Sequence, residues 1–361
     1  MTMFRPLSEV VEEAIEEAEL RATYPDMAGL RTGIRTFDEA ASAALVPGRL
    51  VVVAGESGRG KTAFAAQIVA AFGTQTPVLW LSLEDEARDA VARQLANVGR
   101  LNVGDVRSGK AFSHNLTALG NAACHLAALQ VDVADGLTLN AEGIAQLAWI
   151  WKKERNVETG GVIVIDQLSH IAPSIPGDAE AWARRGLPVP PPVNGPETNR
   201  LEWQVGILKI VALKLGVTIV LLHQLNEAHG KGQEPDERSI RSSRGITHKA
   251  DLVVIPWVPA QVKDPFAGPG QSSFSMSNGE GYLIGVKART VDRFKVPVRW
   301  DGAHQRWADR EEDLQAPYIA PAPPSARALE GARKLAELRA KFDANRQRQL
   351  GGDDAAAIES A

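Results

Sequence analysis

Short apolar runs alternate with stretches of helical periodicity along most of the chain. These short apolar runs occur at 50–54, 78–83, 129–133, 162–166, 217–222 and 252–256. Between most of them, at 62–73, 85–98, 141–154 and 199–215, apolar positions recur at helical spacing. Strands that alternate with helices predict a parallel sheet covered on both faces. Two further strands, near 282–287 and 294–300, have no helix between them and read as a hairpin. The expected fold class is α/β: a mostly parallel central sheet flanked by helices, with a C-terminal β-hairpin extension.

The pattern changes outside this core. Residues 7–22 read as an acidic amphipathic helix, with Ser8 as a possible cap and Glu9 and Glu12 suited to the first turn. Leu7, Val11, Ala14, Ile15 and Ala18 fall on one face, a stripe that fits either its own domain or a neighbouring subunit. Residues 172–198 are rich in Pro and Gly directly after a buried strand, and a loop of this length in a compact domain is usually functional or disordered. A polar loop at 226–244 contains Arg238, Arg241 and Arg244. Beyond Leu314 come a Pro/Ala linker, a basic helix at about 326–349 and a polar acidic tail. The expected division is 1–29 as an N-terminal linker helix, 30–314 as the main domain, and 315–361 as linker, basic helix and tail.

Composition narrows the functional classes. The 361 residues are 44% hydrophobic and 23% charged with a net charge of −4, so nucleic acid could be held only by local patches. One cysteine, Cys124, excludes an intrachain disulfide framework and fits a reducing cytosol. Cys124-His125 lacks clustered partners and does not read as a zinc site. No run reaches membrane-spanning length, and the acidic N-terminus is unlike a signal peptide. The expectation is a cytoplasmic protein with no membrane partner.

The strongest chemical signal is Gly55-Glu56-Ser57-Gly58-Arg59-Gly60-Lys61-Thr62, a G-x-x-x-x-G-K-T sequence between a strand and a helix. Glycines let backbone N–H groups turn around a phosphate chain, the lysine reaches the β- and γ-phosphates, and the threonine hydroxyl holds Mg²⁺. The helix that starts there adds its positive end. The pattern should arise by chance in roughly one chain of this length in a hundred. ATP and Mg²⁺ are therefore the expected ligands.

Three strand ends add candidates. Asp166 ends the run Val162–Ile165, where a carboxylate would hold the Mg²⁺ shell; otherwise it is a turn or capping residue. Glu84 ends another strand and could deprotonate the attacking water, or simply sit in the first turn of the next helix. His223 and Gln224 close a third and could sense the γ-phosphate, or be satisfied polar residues at a strand tip. Lys287 and Arg289 alternate on a strand, so both point to one face. They either pair with this chain's own acids or act on a neighbour's nucleotide.

Taken in order, these pieces resemble the RecA-type ATPase domain of DnaB-type hexameric replicative helicases, over roughly residues 7–309. The resemblance rests on Leu30–Asp38, Val46–Leu50, the P-loop, Leu81–Glu84, Val106–Lys110, Asp166, Gln224–Asn226, Arg241–Ile246 with Ala250-Asp251, and Lys287–Arg289. It implies Glu84 as catalytic base, Gln224 as γ-phosphate sensor, Arg289 as a finger acting in trans beside Lys287, and 7–22 as a helix gripping the next subunit. It further implies single-stranded DNA as partner, a homo-hexamer, and Arg241, Ser242 and Arg244 at the DNA-binding loop. The sequence departs from the family there: the usual Arg-Glu-Ser-Gly is Arg241-Ser242-Ser243-Arg244. Gln167 stands where the family often has an aromatic, and the family's N-terminal collar domain has no counterpart, leaving primase and helicase-loader partners open. An ATP-dependent DNA helicase or translocase is the expected function. The alternatives are a RecA/RadA-like filament-forming recombination ATPase and a KaiC-like regulatory ATPase that does not translocate.

Overall fold

The computed structural model describes residues 6–24, 29–56, 58, 60–157, 160–177, 179–184, 186–226, 233–240, 243–259 and 279–311, with 330, 331, 333, 334, 337, 338 and 341. The chain forms two compact units, a larger one of Leu30–Ile175 and Pro191–Pro321, and a smaller one of Met1–Gly29, Pro176–Pro190 and Ala322–Ala361.

In the larger unit the elements follow in the order α2 (Arg35–Ala41), β1 (Leu50–Gly55), α3 (Lys61–Gly73), β2 (Val78–Ser82), α4 (Ala87–Gly99), α5 (Val103–Ser108), α6 (Lys110–His114), α7 (Leu116–Ala127), β3 (Val131–Asp135), α8 (Ala141–Glu154), β4 (Val162–Asp166), α10 (Glu197–Leu215), β5 (Thr218–Gln224), α11 (Ser243–Lys249), β6 (Leu252–Trp257), β7 (Gly279–Ala288), β8 (Phe294–Asp301) and β9 (Arg306–Asp309). They build one nine-stranded sheet in the order β3-β2-β4-β5-β1-β6-β7-β8-β9. The first six of these are parallel to their neighbours, and β6 through β9 pair antiparallel. The expected hairpin is thus a three-stranded meander, extended by the four-residue β9.

β1, β2 and β4 are buried at every residue because both faces of the sheet are covered. Val51, Val53, Val78, Trp80, Val164, Val220, Leu222 and Val254 face one side, in a core with Phe64, Ile68 and Phe72 of α3. Their alternate neighbours face the other side, where α10 contacts β1 and β5. β3 differs because it is the sheet edge. Its residues are half-buried or exposed, and its observed span lies two residues beyond the run read from sequence.

The smaller unit holds α1 (Leu7–Thr23) and α9 (Ala179–Arg184). Ser8 does not cap α1. Pro6 occupies the cap position with φ −57 and no side-chain bond, and Ser8 lies inside the first turn. Proline lacks the N–H that a helix start leaves unpaired, so it serves there without a cap. Leu7, Val11 and Ile15 of the expected stripe are 76%, 46% and 62% exposed. The opposite, acidic side of α1 meets the C-terminal helical residues. Lys334 Nζ donates to the Tyr24 hydroxyl at 2.6 Å, that hydroxyl lies 3.2 Å from Glu330 Oε1, and Lys341 pairs with Glu16 at 3.5 Å.

Candidate nucleotide site

The C-terminal ends of β1, β2, β4 and β5 lie side by side. Register pairs Ser82 with Asp166 and Gly55 with Gln224. Beyond them, the backbone N–H groups of Leu83 and Glu84 donate to the Asp166 carbonyl at 2.7 and 3.1 Å. This is the sheet edge at which open α/β folds bind ligands.

The turn after β1 is shaped by two close approaches. A Cβ on Gly55 would stand 3.2 Å from the Lys61 Cβ, so glycine lets α3 begin hard against the strand end. Gly60 caps α3 with φ +82, and a Cβ there would meet the Trp300 ring at 2.8 Å. Trp300 and Trp307 are fully buried with centroids 4.8 Å apart, and Trp307 Nε1 donates to the Gly60 carbonyl at 3.1 Å. Gln67 of α3 fixes the same strand, donating to the Trp307 carbonyl at 2.8 Å and accepting its N–H at 2.9 Å. The C-terminal meander therefore braces the P-loop from behind, which sequence reading missed. Gly55, Glu56, Gly58, Gly60, Lys61 and Thr62 stand as expected at the strand-to-helix turn; Ser57 and Arg59 lie outside the described residues.

Lys61 is 6% exposed, and its ammonium donates to Gln167 Oε1 at 2.8 Å. Burial pulls the Lys61 pKa down, while the charges of Asp166 and Glu84 oppose that shift. Asp166 is 2% exposed, and burial pushes its carboxyl up to about 6 against the attraction of Lys61, with Glu84 and Asp85 adding to the rise and Arg93 opposing it. Its Oδ1 is buried without a hydrogen-bond partner. A buried carboxylate oxygen with no donor is a costly arrangement for the protein alone and suits a divalent cation. The residues present therefore fit an Mg²⁺–triphosphate. Glu84 is exposed at the mouth of this cluster, in the turn before α4 rather than in its first turn. Gln224 is half-buried on the strand next to the P-loop, and His223 is buried beside Ala54.

Lys287 and Arg289 do not join the cluster. β7 runs antiparallel to β6, so its last residue, Ala288, pairs with Leu252, which pairs with Val51. Arg289 lies just past the strand, its N–H on the Asp251 carbonyl, and Asp251 N–H bonds Leu50. The cations are thus level with the start of β1. The P-loop leaves its end, roughly 16 Å away at about 3.3 Å per residue, beyond the reach of an arginine. Burial and Arg289 lower the Lys287 pKa, and the Arg289 guanidinium donates to the His248 carbonyl.

Asp251, part of the stretch matched to the family's DNA-binding loop, is a buried scaffold group. It accepts from the Leu50 N–H at 2.8 Å, Lys209 Nζ at 2.6 Å and Arg49 Nη1 at 3.4 Å. Arg241 and Ser242 lie outside the described residues, as does the side chain of Arg244. The root of their loop is described. Leu225 N–H donates to the Gly55 carbonyl at 3.2 Å and Asn226 N–H to the Ser239 carbonyl at 2.7 Å, which ties that loop to the P-loop strand. Among the described residues there is no further cluster of metal ligands, and no helix is long and apolar enough to cross a membrane.

The family model for the DnaB-like helicase C terminal domain matches residues 29–309. The replicative DNA helicase DnaB of Pasteurella multocida is 28% identical over 260 residues, covering 68% of this chain and 50% of that protein. That of Haemophilus influenzae is 27% identical over 330 residues, 85% of this chain and 61% of the relative. The chain thus spans about half the length of the curated relatives it matches. Among solved structures, one described as an ATPase domain aligns with a TM-score of 0.69 at 18% identity, over 85% of this chain and all of that one. A DnaB-like replicative helicase, described with its interactions with primase, aligns with a TM-score of 0.67 at 18% identity, over 85% and 68%. These likenesses show a RecA-like ATPase fold.

Proposed function

Because the chain belongs to the DnaB-like helicase C-terminal domain family, we propose that it is an ATP-driven DNA helicase that works as a homo-hexameric ring on single-stranded DNA in the cytoplasm. One observation supports this beyond family membership. Lys61, Asp166, Glu84 and Gln224 gather at one edge of the sheet while Lys287 and Arg289 stand at the other. Each subunit then has two halves of a site that can meet only head to tail, an arrangement that forms a ring where the rotation closes and a filament where it does not.

In this reading the glycine turn and Lys61 hold the phosphates, and Thr62 and Asp166 hold Mg²⁺. The metal, when bound, neutralises charge on the phosphate oxygens. Glu84, at the mouth, takes the proton of the attacking water. Gln224 senses the γ-phosphate one strand from the P-loop, and the Leu225 and Asn226 backbone bonds pass the change to the loop of Arg241, Ser242 and Arg244, which grips the DNA backbone. Residues 7–22 dock on the next subunit through the exposed stripe of α1.

The test mixes Arg289→Ala protein with Lys61→Ala protein, each inactive alone. A mixed ring contains some interfaces with an intact P-loop opposite an intact finger. DNA-stimulated ATP hydrolysis should reappear on mixing. No recovery despite demonstrated co-assembly would remove the trans role. Hydrolysis unaffected by single-stranded DNA would favour a regulatory ATPase instead.

A further inference from the structure

Gln167 follows the metal-site strand, where the resembled family often has an aromatic, yet it is 1% exposed and holds the P-loop lysine. We propose that Gln167 is a positioning residue for ATP binding, fixing the Lys61 ammonium through a buried hydrogen bond so that its remaining donors face the phosphates. This rests on the nucleotide-site reading above.

The chemistry allows only one orientation. An ammonium has three donors and no acceptor, so the Gln167 amide must present its oxygen. One N–H of Lys61 is thereby committed and two remain. Without that acceptor, a 6%-exposed cation has only the neighbouring carboxylates to turn to. Turning toward Asp166 would place the amine on the very oxygen suited to the metal. Gln167 therefore does two things at once: it satisfies Lys61 and keeps it off Asp166. An aromatic ring at this position could attract the ammonium through its face but would not fix one N–H in a set direction. The groups facing Lys61 are Asp166 and Glu84, with Asp85 and Arg93 acting on Asp166.

The experiment measures Mg²⁺-ATP dissociation constants for the parent, Gln167→Met, Gln167→Glu, Lys61→Ala and the double variant Lys61→Ala/Gln167→Met. Methionine keeps the length and shape without the acceptor. Gln167→Met should weaken ATP binding roughly 10- to 100-fold, the scale of a lost bond to a charged group. Gln167→Glu, which keeps an acceptor, should bind ATP more tightly than Gln167→Met. In the Lys61→Ala background, Gln167→Met should add nothing, since a residue acting through another shows no independent effect.

The proposal is overturned if Gln167→Met binds ATP with the parent's affinity, or if it weakens binding equally with and without Lys61. If Gln167→Met fails to fold, Gln167→Glu decides: an affinity no better than that of Lys61→Ala would overturn the proposal. A different failure, with Lys61→Ala itself binding ATP normally, would instead remove the nucleotide-site reading.

Discussion

Asp166 should weaken the fold it belongs to. A carboxyl raised from 3.8 to about 6 in the native chain binds its proton more tightly there than in the unfolded chain. The stability associated with this proton is fully present below the unfolded value and is lost as pH rises through about 6. The displacement corresponds to about 3 kcal/mol in all. At about pH 7.5 the carboxylate is ionised in both states and the native fold bears nearly the whole cost. At about pH 5 the native carboxyl is mostly protonated while the unfolded one is mostly ionised, and roughly 1.4 kcal/mol is recovered. Asp166→Asn cannot ionise. Relative to the parent, its stability advantage should therefore shrink by roughly 1.4 kcal/mol between about pH 7.5 and about pH 5. Urea unfolding followed by tryptophan fluorescence, with nucleotide absent and divalent cations chelated, measures both gaps; buried Trp80 on the neighbouring strand is a suitable reporter. The same substitution should abolish Mg²⁺-dependent ATP hydrolysis, so stability and activity move in opposite directions. A gap that is constant with pH, or that widens toward pH 5, would refute the assignment of burial as the cause of the shift.

Glu84→Gln should bind ATP as the parent does but turn over about 10²-fold more slowly, as expected for loss of a general base; an unchanged rate in a steady-state hydrolysis assay would assign the base elsewhere. Gly60→Ala should lower stability by about 1–3 kcal/mol and weaken nucleotide binding, because it combines φ +82 with a ring 2.8 Å from the new Cβ. Gly58→Ala, with φ +72 but open space around it, should cost clearly less in the same melting experiment. Asp251→Ala leaves Lys209, Arg49 and the Leu50 N–H without their carboxylate, and denaturant unfolding should show a loss of about 3–5 kcal/mol.

The central sheet was legible because its pattern is local and strong. Val162–Asp166 and Ala141–Glu154 have the bounds read from sequence, since one is an unbroken apolar run and the other is strictly periodic. α5, α6 and α7 were not read. α5 and α6 have 6 and 5 residues, and α5 has no buried residue; α7 has 12 but buries only Ala122, so none of the three carries a wide buried apolar face. β3 was read two residues early because an edge strand alternates instead of staying apolar. At the site, the P-loop and the two strand-end carboxylates could be found because each is defined by its immediate neighbours. Gln167 was visible only as a departure, and its bond to Lys61 spans 106 positions. Trp300 fell in an expected strand and Trp307 in none, while their contact with Gly60 depends on how the meander folds back.

The cation pair shows what spacing alone could not decide. Read along the chain, Lys287 and Arg289 are two positive residues on a strand, suited either to this chain's own acids or to a neighbour's nucleotide. The direction of β7 keeps both away from this chain's own P-loop. A parallel β7 would have carried its C-terminal end to the P-loop edge, with both cations beside Lys61. Because β7 returns antiparallel to β6, its end lies level with Leu50, beside Asp251. The same reversal lets β8 and β9 place two tryptophans behind Gly60. One change in strand direction thus braces the chain's own P-loop and carries its cations to the opposite edge of the sheet.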